Sequence, residues 1–135
     1  MTFKVLSNGS LCVTSVGGVS AETSLDLHWE NTEGVVCIVD TVPKHFPYLQ
    51  NLNLEGQRVA DVRALGSLLS LRELMASGNQ LVDISHLSSC LLLTKLDLND
   101  NMINEIPPGQ LPLSLCILCT NNHVRTHETH SKRGN

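Results

Sequence analysis

The sequence predicts a repeat solenoid, a stack of short coils that share one apolar core, and three observations carry the prediction. Apolar residues recur every 22 positions: Leu49, Leu52, Leu54, Val59, Val62 and Leu65, then Leu71, Leu74, Ala76, Leu81, Ile84 and Leu87, then Leu93, Leu96, Leu98, Ile103 and Ile106, with a miss at Gly109. A polar residue keeps the same interval inside each unit, as Gln57, Asn79 and Asn101. The units stand in register without any insertion, and an interval of this length marks stacked supersecondary units.

Taken in chain order, Phe3 to Val13 alternate imperfectly around Asn8-Gly9, a pair that favours a two-residue hairpin turn. A hairpin there would cap the open end of the core, which solenoids require for solubility. Leu25-Asp26-Leu27 stands 27 residues before Leu52-Asn53-Leu54 and predicts a longer, irregular first coil, with Val35, Val36 and Ile38 as its buried return. Pro43 and Pro47 are expected to break any regular element before the first clear repeat. Residues 1–47 thus read as an N-terminal cap with one irregular repeat, and 48–124 as the repeats proper.

Within a unit, Leu52-x-Leu54, Leu74-x-Ala76 or Leu96-x-Leu98 is a short strand buried on one face. The asparagine that follows tolerates tight-turn geometry, and its amide satisfies backbone groups left bare where the chain bends. One coil cannot bury its own apolar side, so neighbours must stack to close the core. The fourth unit, Leu115-Cys116-Ile117-Leu118-Cys119-Thr120-Asn121-Asn122-His123-Val124, keeps the leucine spacing while Asn122 arrives one residue early. It reads as a last strand without a full coil behind it. Residues 125–135 hold no apolar side chain to bury and read as a polar, disordered tail, so the final coil is frayed or the chain is a truncated targeting fragment of a larger signalling protein or enzyme.

Leu71-Arg72-Glu73-Leu74-Met75-Ala76-Ser77-Gly78-Asn79-Gln80-Leu81 and Leu93-Thr94-Lys95-Leu96-Asp97-Leu98-Asn99-Asp100-Asn101-Met102-Ile103 resemble the leucine-rich-repeat family. The unit length is similar to the intracellular 22-residue class, which includes protein phosphatase 1 regulatory subunits and axonemal dynein-associated light chains. The resemblance spans about 48–124. It implies an α/β solenoid with a curved parallel sheet on the concave side and short helical turns or extended segments on the convex side. Gln57 departs from the family's turn asparagine and Ala76 from its strand leucine, which predicts a looser turn and thinner packing there. Ile106-Pro107-Pro108-Gly109 cannot continue a helix, so the third convex segment is expected to be extended.

Composition narrows the function. A formal charge of −4 argues against nucleic-acid binding through a general basic field. No run of apolar residues is long enough to span a membrane, and the N-terminus lacks the apolar core of a signal peptide. Five cysteines (Cys12, Cys37, Cys90, Cys116 and Cys119) without paired spacing point to reduced thiols in a cytosolic or nuclear setting, of which the cytoplasm is the expected one, and the family resemblance adds a cilium or the cytoskeleton. Asn8-Gly9-Ser10 matches a glycosylation acceptor, a three-residue pattern too common to carry weight in that compartment. Phosphatase regulation and cilium-associated assembly are the processes the resemblance brings in, and no residue selects between them.

Chemistry is thin. Cys116 and Cys119 followed by His123, His127 and His130 form the one cluster of metal-ligand type, a zinc-binding tail in the alternative reading. Residues three apart on a strand face opposite ways, and a finger needs about twelve residues between ligand pairs. Asp26, Asp97 and Asp100 fall on or near the concave sheet without a partner histidine or nucleophile, and an aspartate at a strand-to-loop turn serves backbone hydrogen bonding or solubility. Gly17-Gly18 lacks the lysine and helix of a phosphate loop. The chain reads as no enzyme and implies no cofactor.

Binding has better geometry. Residues between the buried strand positions point out of the concave face, which puts Asn51, Glu73, Lys95 and Ile117 in one row and Asn53, Met75, Asp97 and Cys119 in the next, with Asp26 ahead of them. Methionine adapts to varied partners, so Met75 is the expected central contact, and Trp29 is a contact expected at the edge of the face. The expectation is an adaptor or regulatory module, monomeric, holding another protein through Asn51, Asn53, Glu73, Met75, Lys95, Asp97 and Trp29.

Overall fold

The repeat alternation becomes strands. In the computed structural model, which describes residues 3–5, 11–13, 21, 23–26, 38–121, 123–126 and 132–134, each x-Leu-x triplet is a three-residue strand. In chain order the elements are β1 (Phe3–Val5), β2 (Leu11–Val13), β3 (Ser24–Asp26), α1 (Ile38–His45), β4 (Asn51–Asn53), β5 (Glu73–Met75), β6 (Lys95–Asp97), β7 (Glu105–Ile106), β8 (Ile117–Cys119), β9 (Arg125–Thr126) and β10 (Lys132–Gly134). Two 3-10 turns, Arg63–Ser67 and Ser85–Ser89, form the returns of the first two clear repeats. The main sheet has six strands in the order β10-β8-β6-β5-β4-β3, all paired in parallel. Leu25, Leu52, Leu74, Leu96 and Leu118 are direct partners along it, so the irregular first coil and the degenerate fourth both join the register. This is an α/β solenoid.

The core is the stack of repeat positions. Leu49, Leu71, Leu93 and Leu115 form one buried column, and Leu54, Ala76 and Leu98 another. Leu65 and Leu87 of the 3-10 turns close the coil from the far side. Each fully buried aliphatic side chain contributes on the order of 1.5–3 kcal/mol. Leu68 and Cys90 add a buried column between turn and strand that the spacing analysis leaves out.

Asn79 and Asn101 tie the coils to each other. Asn79 Oδ1 accepts from the backbone N–H groups of Gln57 and Val59 at 3.0 and 2.9 Å, and its amide nitrogen donates to the carbonyls of Leu54 and Ala76. Asn101 repeats the pattern one coil on, accepting from Leu81 N–H and donating to Ala76 and Leu98. Leaving one such buried backbone group unsatisfied costs about 1–3 kcal/mol, which is why an amide occupies these positions. In the first unit Gln57 is buried and turns its amide onto Glu55 C=O. The turn before each polar residue needs a left-handed backbone: Gly56, Gly78 and Asp100, one repeat apart, have φ of 66°, 70° and 56°.

Several expectations change. Pro43 does not break the chain, because it lies inside α1, whose Val42 side chain is fully buried and whose last turn leads into buried Phe46. Ile38 starts that helix, and Val35 and Val36 lie outside the described residues. The third convex segment is free of helix as expected, and Leu111 enters the core two residues beyond the miss at Gly109. The fourth unit does have a return: Val124 is buried, Arg125 N–H donates to Asn104 C=O, and β9 pairs in parallel with β7. Where the sequence reads as a polar tail from 125, the structure has β9 and then β10 on the free edge of β8. Both additions use backbone hydrogen bonds, which need no apolar side chain and so leave no hydrophobic signal. The expected hairpin is present as the antiparallel pair β1–β2, a sheet of its own separate from the main one, and its turn lies outside the described residues.

Candidate partner-binding face

Parallel in-register pairing builds the open face of the main sheet from the residues flanking each buried leucine. Ser24, Asn51, Glu73, Lys95 and Ile117 are successive partners in one row. Asp26, Asn53, Met75, Asp97 and Cys119 are successive partners in the other. The register sets Asn51, Glu73, Lys95 and Ile117 as partners in one row and Asn53, Met75, Asp97 and Cys119 in the other, the rows that the spacing implies. Trp29, His127 and His130 lie outside the described residues.

The rows divide into occupied and available groups. Asn53 Oδ1 accepts from Glu55 N–H at 2.9 Å, and Asp97 Oδ1 accepts from Asn99 N–H at 3.0 Å, so both cap the turn after their own strand. Asn51 donates to Ser24 Oγ at 3.2 Å. Glu73 is exposed, while Met75 and Lys95 are half-buried. Beside Met75 a concavity of about 320 Å³ is lined by Ser24, Leu25, Asn51, Leu52, Asn53 and Glu73. Ser24 and Leu25 were missed as lining residues; the spacing that located Leu25-Asp26 would have placed them by counting back from Asn51 and Leu52.

The cysteines serve other ends. Cys116 is exposed and Cys119 half-buried, and both are free thiols. Burial, and then the neighbouring Asp97 carboxylate, push the Cys119 thiol up. Cys90 lies in the core, donates to Leu65 C=O, and has its thiol pushed up by burial to about 11, which makes it a packing group. Among the described residues no three of His, Cys, Asp and Glu gather as metal ligands. No helix among them is long and apolar enough to cross a membrane.

Parallel x-Leu-x strands stacked every 22 residues, tied by an asparagine ladder and closed by 3-10 returns, make this a leucine-rich-repeat fold. Among solved structures the chain is similar to internalin C2 from Listeria monocytogenes, a leucine-rich-repeat protein, with a TM-score of 0.52 and 32% identity over 56% of this chain and 33% of that one. The chain thus spans about a third of that neighbour's length. No protein-family model and no curated protein matches it.

Proposed function

We propose that the chain is a non-catalytic module that binds another protein on the open face of its sheet, the concave side in this fold. Contacts come from Asn51, Asn53, Glu73, Met75, Lys95 and Asp97. The observation that carries the reading is the half-buried Met75 beside a concavity with an apolar floor, Leu25 and Leu52, and a polar wall, Ser24, Asn51, Asn53 and Glu73. A hydrophobic contact set inside a polar rim is the anatomy of a protein-binding hot spot. On the same face Asn53 and Asp97 are engaged in capping the turns after their strands. The free thiols at Cys90, Cys116 and Cys119 fit a reducing compartment, and we place the module in the cytoplasm.

The test is capture by the immobilised chain, identification of the captured protein, and titration with that protein purified. A Met75→Glu/Lys95→Glu variant with wild-type circular dichroism should bind at least about tenfold more weakly, since a hot-spot residue carries 1.4 kcal/mol or more. An Arg63→Glu variant, altered on the opposite side, should bind as wild type. Equal affinity for all three chains overturns the assignment to this face.

A further inference from the structure

The polar groups around the concavity beside Met75 select what enters it. Its volume of about 320 Å³ stands at the small end of ligand pockets, roughly 300–1,000 Å³, which is room for a side chain and not for a folded element. Glu73 carries the one charge among the described residues that line it. Glu73 is exposed, and its carboxylate enters no ion pair among the described residues. On the neighbouring strand Asn51 donates its amide nitrogen to Ser24 Oγ, which leaves its Oδ1 as a second acceptor. Asn53 Oδ1 is taken by Glu55 N–H, and its amide nitrogen, like the Ser24 hydroxyl, is a donor suited to a backbone carbonyl. Lys95, the partner of Glu73 on β6, stands on the side away from the concavity and does not line it.

We infer that the concavity receives an arginine side chain of the bound protein, an inference that rests on the protein-binding reading above. The aliphatic stem of an arginine covers the floor of Leu25 and Leu52 while its charged head stays at the wet rim. The planar guanidinium forks onto the Glu73 carboxylate and keeps further N–H groups for Asn51 Oδ1. Lysine has the stem but ends in a strongly hydrated point charge without the fork. A purely aliphatic side chain would cover the Glu73 carboxylate without pairing it, which costs desolvation, and an acidic one is repelled. The charge of the wider face agrees. From β3 to β6 the two rows carry Asp26, Glu73 and Asp97 against Lys95, on a chain of net charge −4, so a cationic segment is drawn to this side.

The probe is a synthetic acetyl-Ala-Ala-Arg-Ala-Ala-amide peptide, followed through the backbone amide signals of the full isotope-labelled chain. It should shift the signals of β4 and β5 and saturate on the order of 1–10 mM, the strength open to one side chain. The same peptide with citrulline, which keeps the shape and loses the charge, or with glutamate should bind at least about fivefold more weakly, because charge-assisted hydrogen bonds are the strong ones. Glu73→Gln, at an exposed position and with unchanged circular dichroism, should bring the arginine peptide down to the citrulline value. Equal binding of the arginine and citrulline peptides overturns the inference, as does arginine binding that survives Glu73→Gln, or shifts that fall elsewhere or nowhere. Its failure is distinct from that of the protein-binding reading. A purified partner that is weakened by Met75→Glu/Lys95→Glu and keeps wild-type affinity for Glu73→Gln removes the arginine and leaves the face, whereas a partner unaffected by either variant removes both.

Discussion

Gly66 has no side chain because the next coil leaves no room for one. A Cβ built there would lie 2.8 Å from the His86 carbonyl oxygen and 3.0 Å from Ser89 Oγ. The close approach is used: the Ser89 hydroxyl, which sits between the Gly66 and His86 carbonyls at 2.9 and 2.8 Å, sews one 3-10 turn to the next. Gly66→Ala should therefore destabilise the chain by about 1–3 kcal/mol, since overpacking against backbone outweighs the roughly 0.4–1 kcal/mol gained by restricting the unfolded chain. A lower urea midpoint with an unchanged slope is the expected result, and a raised midpoint would mean that the coils slide apart at no cost. The asparagines were legible because their column repeats; Gly66 was not, because Lys44 and Ser88 occupy the matching positions in its neighbours. A contact made once in the stack leaves no period to read.

At the scale of elements, packing overrode local punctuation in α1. An interior proline costs about 3 kcal/mol, and burial of Val42 and Phe46, on the order of 1.5–3 kcal/mol each, offsets it. The 3-10 turns were expected only through the family resemblance, because five residues hold too few periodic positions to announce a helix. What starts them is a column of aspartates: Asp61 Oδ1 accepts from Arg63 N–H at 2.8 Å and Asp83 Oδ1 from Ser85 N–H at 2.9 Å. The Arg63 guanidinium, and then the Arg63 backbone, hold Asp61 below its usual value, while the Ser85 backbone N–H and then its hydroxyl do so for Asp83. A depressed folded value means stability that is present above the unfolded value of 3.8 and is lost as pH falls through the folded value beneath it. Both carboxylates are well solvated, which keeps the effect small. Asp83→Ala should be less stable than wild type near neutral pH, with the gap closing in strong acid where the wild-type carboxylate is protonated. Urea midpoints of the two chains at both pH values decide it; a gap that does not change with pH removes the aspartate's charge from the account.

For the whole molecule, register was legible and edges were not. Strand rows followed from counting because stacking repeats each position, and the same counting laid out the rows of the open face. Which of those side chains are free did not follow, since capping by Asn53 and Asp97 depends on turn geometry that an interval does not encode. Nor did β10, which reaches the sheet at a spacing of 15 from β8, with Lys132 beside Ile117, and has Arg133 at the register position where the other strands of the main sheet have leucine. In a one-dimensional stack each coil is stabilised by its own layer and its two neighbours, so the free energy of local opening should follow the completeness of the layers. The second unit is buried at every repeat position, and the third at all but Gly109. The fourth has Thr120 in the column of Leu54 and Leu98, a shortened return ending at Val124, and β10 as its only neighbour on one side. Backbone amides of β8 should therefore exchange with solvent deuterium faster than those of β5 and β6, by opening that leaves the earlier coils intact. Leu96→Ala, in the interior, should cost about 2–5 kcal/mol and speed exchange throughout, whereas Leu118→Ala should cost less and act on β8 and its neighbours. Uniform protection from β4 to β8 in wild type, with both substitutions acting equally everywhere, would show a single cooperative unit and defeat the layer-by-layer account.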